Sequence, residues 1–189
     1  MGPFEQYLAT SRRALDTLNL GEVQRLAEDL RAAWEEGRQV FLCGNGGSAA
    51  NAIHIANDLF YGIAPGKGGM RVQALSANQA IMTCLANDIS YDAIFSQQLE
   101  VLARPGDLLI VLSGSGNSPN IVAALEVGKR MGLGTYAILG YSGGKCLKLA
   151  DHAIHLPIDD MQISEDAQLM VGHMLMQWLK AHPPVALQA

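Results

Sequence analysis

The sequence predicts an α/β fold in three layers, a parallel sheet with helices on both faces, and two observations predict it. Five short apolar runs, "QVFLC", "RVQAL", "DLLIVLS", "TYAILG" and "HAIHLP", alternate with longer amphipathic stretches from Gln39 onward. Such strand–helix alternation is the pattern of a parallel sheet covered on both sides. The composition agrees: 49% of the 189 residues are apolar and 16% charged, which suits one compact domain with a real core and leaves too little chain for two.

The elements follow in order. Residues 4–37 carry apolar positions at helical spacing: Phe4, Leu8, Leu15 and Leu18, then, after "NLGE", Val23, Leu26, Leu30 and Trp34. They read as an antiparallel helix pair with more apolar surface than one small sheet covers, so oligomerisation through these helices is expected. Between the five runs, helices are expected near 48–61, 78–87, 91–103, 118–131 and 143–150, with a last one near 164–181. The tail "HPPVALQA" cannot continue a helix. The expected organisation is one domain over 1–189, with N-terminal helices to residue 37, an α/β core over 38–182 and a loose tail over 183–189.

The net charge of −5 offers no general attraction to nucleic acid or to an anionic membrane. No segment approaches a membrane span, and "MGPFEQYLATSRR" lacks the apolar region of a signal peptide. Cys43, Cys84 and Cys146 match neither a disulfide framework nor a Cys-x-x-Cys clip, and read as buried reduced thiols. A cytoplasmic protein without direct nucleic-acid or membrane partners is expected.

Two strand ends carry unusual chemistry. Gly44-Asn45-Gly46-Gly47-Ser48 follows "QVFLC", and Gly114-Ser115-Gly116-Asn117-Ser118 follows "DLLIVLS". Glycines let backbone approach a ligand, and N–H groups at a following helix start favour an anion. Ser48 and Ser118 each stand where a helix cap belongs, so either one alone reads equally well as structural. Two such turns at equivalent places in one sheet favour phosphate. Gly44-x-Gly46-x-x-Ala49 fits the loose dinucleotide pattern, but the second strand ends "RVQALSANQ" without the ribose-binding acid, and no Walker A loop exists. A small phosphomonoester such as a sugar phosphate suits these turns better.

"CGNGGSAANAIH", "ANDISYDAIFSQQLE", "RPGDLLIVLSGSGNSPNIVAAL" and "GYSGGK" together resemble the sugar isomerase (SIS) domain family, in its phosphoheptose isomerase branch. The resemblance covers nearly the whole chain. It implies a five-stranded parallel sheet flanked by helices, a homotetramer with active sites between subunits, and isomerisation of sedoheptulose 7-phosphate to D-glycero-D-manno-heptose 7-phosphate. Asn45, Gly46, Gly47 and Ser48 match the family's first substrate loop. Ser113, Ser115 and Ser118 match its phosphate loop, and Asn87-Asp88 its substrate-contacting pair. His54 matches a metal-binding histidine, Asp58 stands at the catalytic glutamate, Glu165 at a substrate glutamine, and His173 at the catalytic histidine. Gly114 replaces a usual threonine, and glycine stands at 62 where an arginine is frequent. These departures admit a different phosphosugar, and the resemblance also embraces non-catalytic regulators that bind a replication-initiator protein.

Aldose–ketose isomerisation needs a base, an acid and a stabiliser of the enediolate oxygen. Taken singly, His173 in "LMVGHMLMQWL" reads as a core histidine and Asp58 as a solvated charge. His54 and Asp58, four residues apart, share a helix face and can point at one place. With Glu165 and His173 they form a reasonable Zn²⁺ ligand set. Geometry objects to Glu165 and His173 binding one ion from a straight helix, because eight residues span roughly 12 Å.

Overall fold

The computed structural model describes residues 1–187. Helices α1 (Pro3–Asp16) and α2 (Leu20–Glu36) precede β1 (Val40–Gly44) and α3 (Gly47–Asn57), which runs into a π turn over Asp58–Gly62. Then come β2 (Val72–Ala74), α4 (Gln79–Asp88), a 3₁₀ turn (Tyr91–Ala93), α5 (Ser96–Leu102), β3 (Leu108–Ser113) and α6 (Pro119–Arg130). Strand β4 (Gly134–Leu139), the short α7 (Cys146–Leu149), β5 (His152–His155), α8 (Met161–Ala181) and a 3₁₀ turn (Val185–Leu187) complete the described chain.

All five predicted strands form one sheet of order β2-β1-β3-β4-β5, and every pairing is parallel. The pleat sends alternate residues to opposite faces, which explains why these runs are apolar throughout. Val40, Leu42, Leu108, Ile110, Leu112, Tyr136 and Ile138 join the core beneath α2, α3 and α8. Phe41, Cys43, Leu109, Val111, Ala137 and Leu139 join a second core with Phe95, Leu99, Ile121 and Leu125 of the opposite helical layer.

Helix α2 starts on Asn19, whose side chain accepts from the Gly21 N–H, and ends on Gly37 in the left-handed region. Its Val23, Leu26 and Leu30 are buried inside this chain, so that part of the expected intersubunit stripe is spent on the chain's own sheet and α8. Burying each such side chain contributes about 2 kcal/mol. Leu15 and Leu18 pack partly against the same core, whereas Phe4 and Leu8 of α1 are 82% and 55% exposed. The Tyr7 hydroxyl donates to Asp166 at 2.6 Å and ties α1 to α8.

Five expectations need correction. The stretch 91–103 is two pieces, and only Cys146–Leu149 of 143–150 is helical, because Gly143 and Gly144 adopt positive φ. Helix α8 begins at Met161, where Asp160 accepts from the Ile163 N–H and supplies the cap. The tail is not loose from 183: Pro184 is buried and Leu187 packs on the core, leaving Gln188 and Ala189 outside the described residues. Cys43 and Cys146 are buried free thiols as expected, with Cys146 pushed up to about 11 by burial, but Cys84 is exposed.

Tyr136 is fully enclosed, and its hydroxyl donates to Asp29 of α2 at 2.5 Å. Burial first, and then the Asp29 hydrogen bond, raises its pKa above the ordinary tyrosine value. A raised folded pKa means the stabilisation is whole below the unfolded value, about pH 10, and is lost as pH climbs above it. Tyr136→Phe is expected to lower Tm at pH 7 and to flatten the fall of Tm between pH 9 and 11. Parallel alkaline melting curves for the two proteins would contradict this.

Candidate functional site

Strand β1 pairs with β2 on one side and β3 on the other, so the winding reverses between β1 and β3. In open parallel sheets the crevice beyond such a reversal is where ligands bind. Both glycine–serine turns lie there. They enclose a cleft of about 270 Å³ lined by Asn45, Gly46, Ser48, Leu112, Ser113, Gly114, Ser115, Ser118, Met161 and Glu165.

In the first turn, Gly46 takes the cap position of α3 with φ 56° and offers no side chain for capping. Ser48 is therefore the second helical residue rather than the cap, with its hydroxyl in the buried cleft wall. In the second turn, Ser118 does occupy the cap position of α6, yet its side chain makes no capping bond. Ser113 Oγ accepts from the Gly116 N–H at 3.0 Å, and Ser115 Oγ accepts from the Asn117 N–H at 3.3 Å. Gly116 has φ +65°, and a Cβ there would lie 2.0 Å from the Gly143 oxygen, so only glycine fits. The "GYSGGK" segment braces this turn, since the Lys145 N–H donates to Asn117 Oδ1 and the Cys146 N–H to the Gly116 carbonyl.

The N-terminal turns of α3, α6 and α8 all contribute to the cleft wall. The aligned dipoles at these helix starts favour an anion, although at α8 the Asp160 carboxylate already takes the Ile163 N–H. Glu165 is the one carboxylate among the lining residues, and it lies against Gly47, whose Cβ would come within 2.2 Å of Glu165 Oε2.

Asn120 escaped the sequence reading. It is 1% exposed and exchanges hydrogen bonds of 2.9 Å in both directions with the Asn45 amide, while the Tyr91 hydroxyl donates to Asn45 Oδ1 at 3.2 Å. The two turns are thereby locked together through Asn45. In sequence, Asn120 is only a helical residue after a proline, with nothing to mark it.

Helices α3 and α8 run side by side in one direction. The Asn51 amide donates to the Glu165 carbonyl and to Gln168, and further along Gly172 meets Ile55. This register carries His54, Asp58 and His173 to one point. His54 Nε2 and His173 Nε2 are 3.1 Å apart, and Asp58 Oδ2 lies 3.5 Å from the first and 3.7 Å from the second. Asp58 opens the π turn, a local device frequent at functional sites. Two imidazole nitrogens at this distance need a proton or a cation between them. A point equidistant from the three atoms lies about 2 Å from each, the length of a Zn–N or Zn–O bond. The cluster fits a cation with two nitrogen ligands and one oxygen.

Glu165 is not part of that cluster. It stands two turns earlier in the regular helix α8, at the anion cleft, so the four-residue ligand set does not form within one chain. Asn87 and Asp88 also stand apart from the cleft lining. They end α4 in the open, where the Asn87 amide, and then the Cys84 thiol, hold the Asp88 carboxyl below its ordinary range. Gly62 packs beside Met176 and Asp58, at the far end of the cluster.

An anion cleft at the winding reversal of a parallel sheet, with a His/Asp/His group further along the same two helices, defines a class of ligand-binding α/β domain. The sequence pattern of the SIS domain matches residues 4–140, and the chain belongs to this family, in its phosphoheptose isomerase branch. It is 37% identical over 168 residues to a phosphoheptose isomerase of Akkermansia muciniphila, covering 89% of this chain and 88% of that one. It is 36% identical over 171 residues to one of Mycobacterium tuberculosis, covering 90% and 87%. Among solved structures, a phosphoheptose isomerase from Neisseria gonorrhoeae superposes with a TM-score of 0.86 at 25% identity, over 94% of this chain and 95% of that one.

Proposed function

We propose that this chain isomerises sedoheptulose 7-phosphate to D-glycero-D-manno-heptose 7-phosphate. The observation that carries the proposal is the convergence of Asp58 and His173, from two helices whose first turns line an anion cleft. Along α3, Ser48 and His54 are separated by roughly 9 Å of helix, a distance of the order of a seven-carbon chain. The phosphate is held by Ser48, Ser113, Ser115, Ser118 and the neighbouring N–H groups, and this binding positions the reacting carbons.

In the forward direction Asp58 takes the proton from C1 while His173 gives a proton to O2, and the C1–C2 double bond of an enediol forms. Return of a proton to C2 with loss of the O1 proton gives the aldose, with no net gain or loss of protons or electrons. Were Zn²⁺ held by His54, Asp58 and His173, it would supply positive charge for the enediolate oxygen in place of the His173 proton. A purely binding module has no need to bring these three side chains together, which disfavours the regulator reading.

On this reading the chain acts as a single domain in a cytoplasmic homotetramer. Exposed Phe4 and Leu8 support the assembly, as does α4, which buries no residue within the chain. Asn87 and Asp88, and the side chain of Glu165, then serve sites completed between subunits. No helix among the described residues is long and apolar enough to cross a membrane, and the acidic net charge gives nucleic acid no foothold.

A second reading, a different phosphosugar, is favoured by Gly114 and Gly62, which alter the two ends of the site. A coupled assay against a panel of ketose phosphates separates the readings. Sedoheptulose 7-phosphate is expected to give the highest kcat/KM, and turnover of none of the panel would leave the binding module. Inorganic phosphate is expected to raise Tm, and Ser115→Ala with Ser118→Ala should remove most of that rise. An undiminished rise in the double variant would place the phosphate elsewhere.

A further inference from the structure

We infer that Met161 is a specificity-determining residue of the anion cleft, because its thioether fills the volume that any side chain at position 114 would take. The inference rests on the reading of this cleft as the phosphate site. Between the hydroxyls of Ser113 and Ser115, Gly114 offers none. A Cβ built on it would lie 2.6 Å from Met161 Sδ, 3.1 Å from Met161 Cε and 3.5 Å from Tyr141 Cε2. Both Gly114 and Met161 line the cleft.

The surroundings hold this arrangement. Met161 is the first residue of α8, fixed by Asp160, which accepts from the Ile163 N–H at 3.0 Å through its side chain and from the Ser164 hydroxyl at 2.7 Å through its carbonyl. Tyr141, the other neighbour of Gly114, is the single non-glycine residue with positive φ among the described residues, at 42°. Its N–H donates to the Ile158 carbonyl, and its own carbonyl lies 2.9 Å from His155 Nε2. Backbone strain of this kind persists where the surroundings over-determine it.

The backbone on both sides is therefore set, and the thioether is the adjustable part of the wall. Sulfur here is a weak acceptor and no donor, so it gives a phosphate oxygen nothing. It limits the size of the anion instead, leaving the serines and N–H groups to do the binding. A side chain at 114 would drive the thioether off Gly114 and into competition for the space lined by Gly46, Ser48 and Glu165.

The test is a double-mutant cycle on the whole chain, reading the Kd of inorganic phosphate by calorimetry for wild type, Gly114→Thr, Met161→Ala and the pair. Gly114→Thr is expected to weaken phosphate about tenfold in the wild-type background and less than about threefold beside Met161→Ala, the signature of contacting residues. Met161→Ala alone is expected to narrow the preference for phosphate over pyrophosphate. Gly114→Ala, which adds only the Cβ, repeats the cycle with the same sign should the threonine variant fail to fold. Equal losses in both backgrounds, an unchanged pyrophosphate ratio, or no phosphate binding by the wild type would each overturn the inference. Coupling in phosphate affinity without turnover of any sugar would sink the isomerase reading and leave this one standing.

Discussion

Asp58→Asn and His173→Gln are each expected to lower kcat by about 10²–10⁴-fold, the usual cost of removing a positioned acid or base. Both substitutions nearly preserve volume, and the residues proposed to hold phosphate lie at the far end of α3 and α8. KM and assembly should therefore change little, which identifies a loss felt in the transition state. His54 and His173 also share their contact with Asp58, so on the proposed metal reading Asp58→Asn should reduce the zinc that the protein binds in the same sample. Metal analysis alongside kinetics separates the two roles. Full metal content with lost turnover points to the proton, and parallel losses point to the ion. Wild-type kcat in both variants would make these side chains structural.

Gly172→Val is expected to lower Tm and activity together. A Cβ at 172 would fall 2.5 Å from Ile55 Cγ1 and 2.8 Å from its Cδ1, inside a packed contact between α3 and α8. Overpacking of this kind costs about 1–3 kcal/mol. The substitution acts one residue before His173, so spreading the helices also pulls His173 from His54 and Asp58. Ile55→Ala in the same chain should return part of the lost stability, since it vacates the contested space. A Gly172→Val protein with wild-type Tm and activity would show that the helix spacing does not position the cluster.

Most of the fold was legible because a parallel sheet buries both faces of each strand. Runs such as "DLLIVLS" then leave no ambiguity of period, and all five reappear within a residue or so of their strands. The two turns were legible for a similar reason, since glycine and serine after a buried strand leave few alternatives. What failed depends on how far elements sit from one another. Whether Val23, Leu26 and Leu30 face a neighbour or the chain's own α8 cannot be decided from their spacing. The cap of α3 depends on a positive φ at Gly46, which moves Ser48 two places into the helix. Glu165 and His173 join one ligand set by residue type, but their places in α8 assign one to the cleft and the other to the His/Asp/His group. Gly172, unmarked in the sequence, lets α3 and α8 approach, since a Cβ there would lie 2.5 Å from Ile55 Cγ1. Asn120 carried no periodic or compositional signal at all.

The central claim, that Asp58 and His173 move a proton on a phosphate-anchored sugar, is tested most directly by solvent exchange in D₂O. Sedoheptulose 7-phosphate is incubated with the protein and deuterium at C1 and C2 is followed by NMR. An enediol intermediate predicts deuterium wash-in by the wild type, slowed about 10²-fold or more in Asp58→Asn and His173→Gln. Exchange at the wild-type rate in both variants, or no exchange by the wild type, would contradict it.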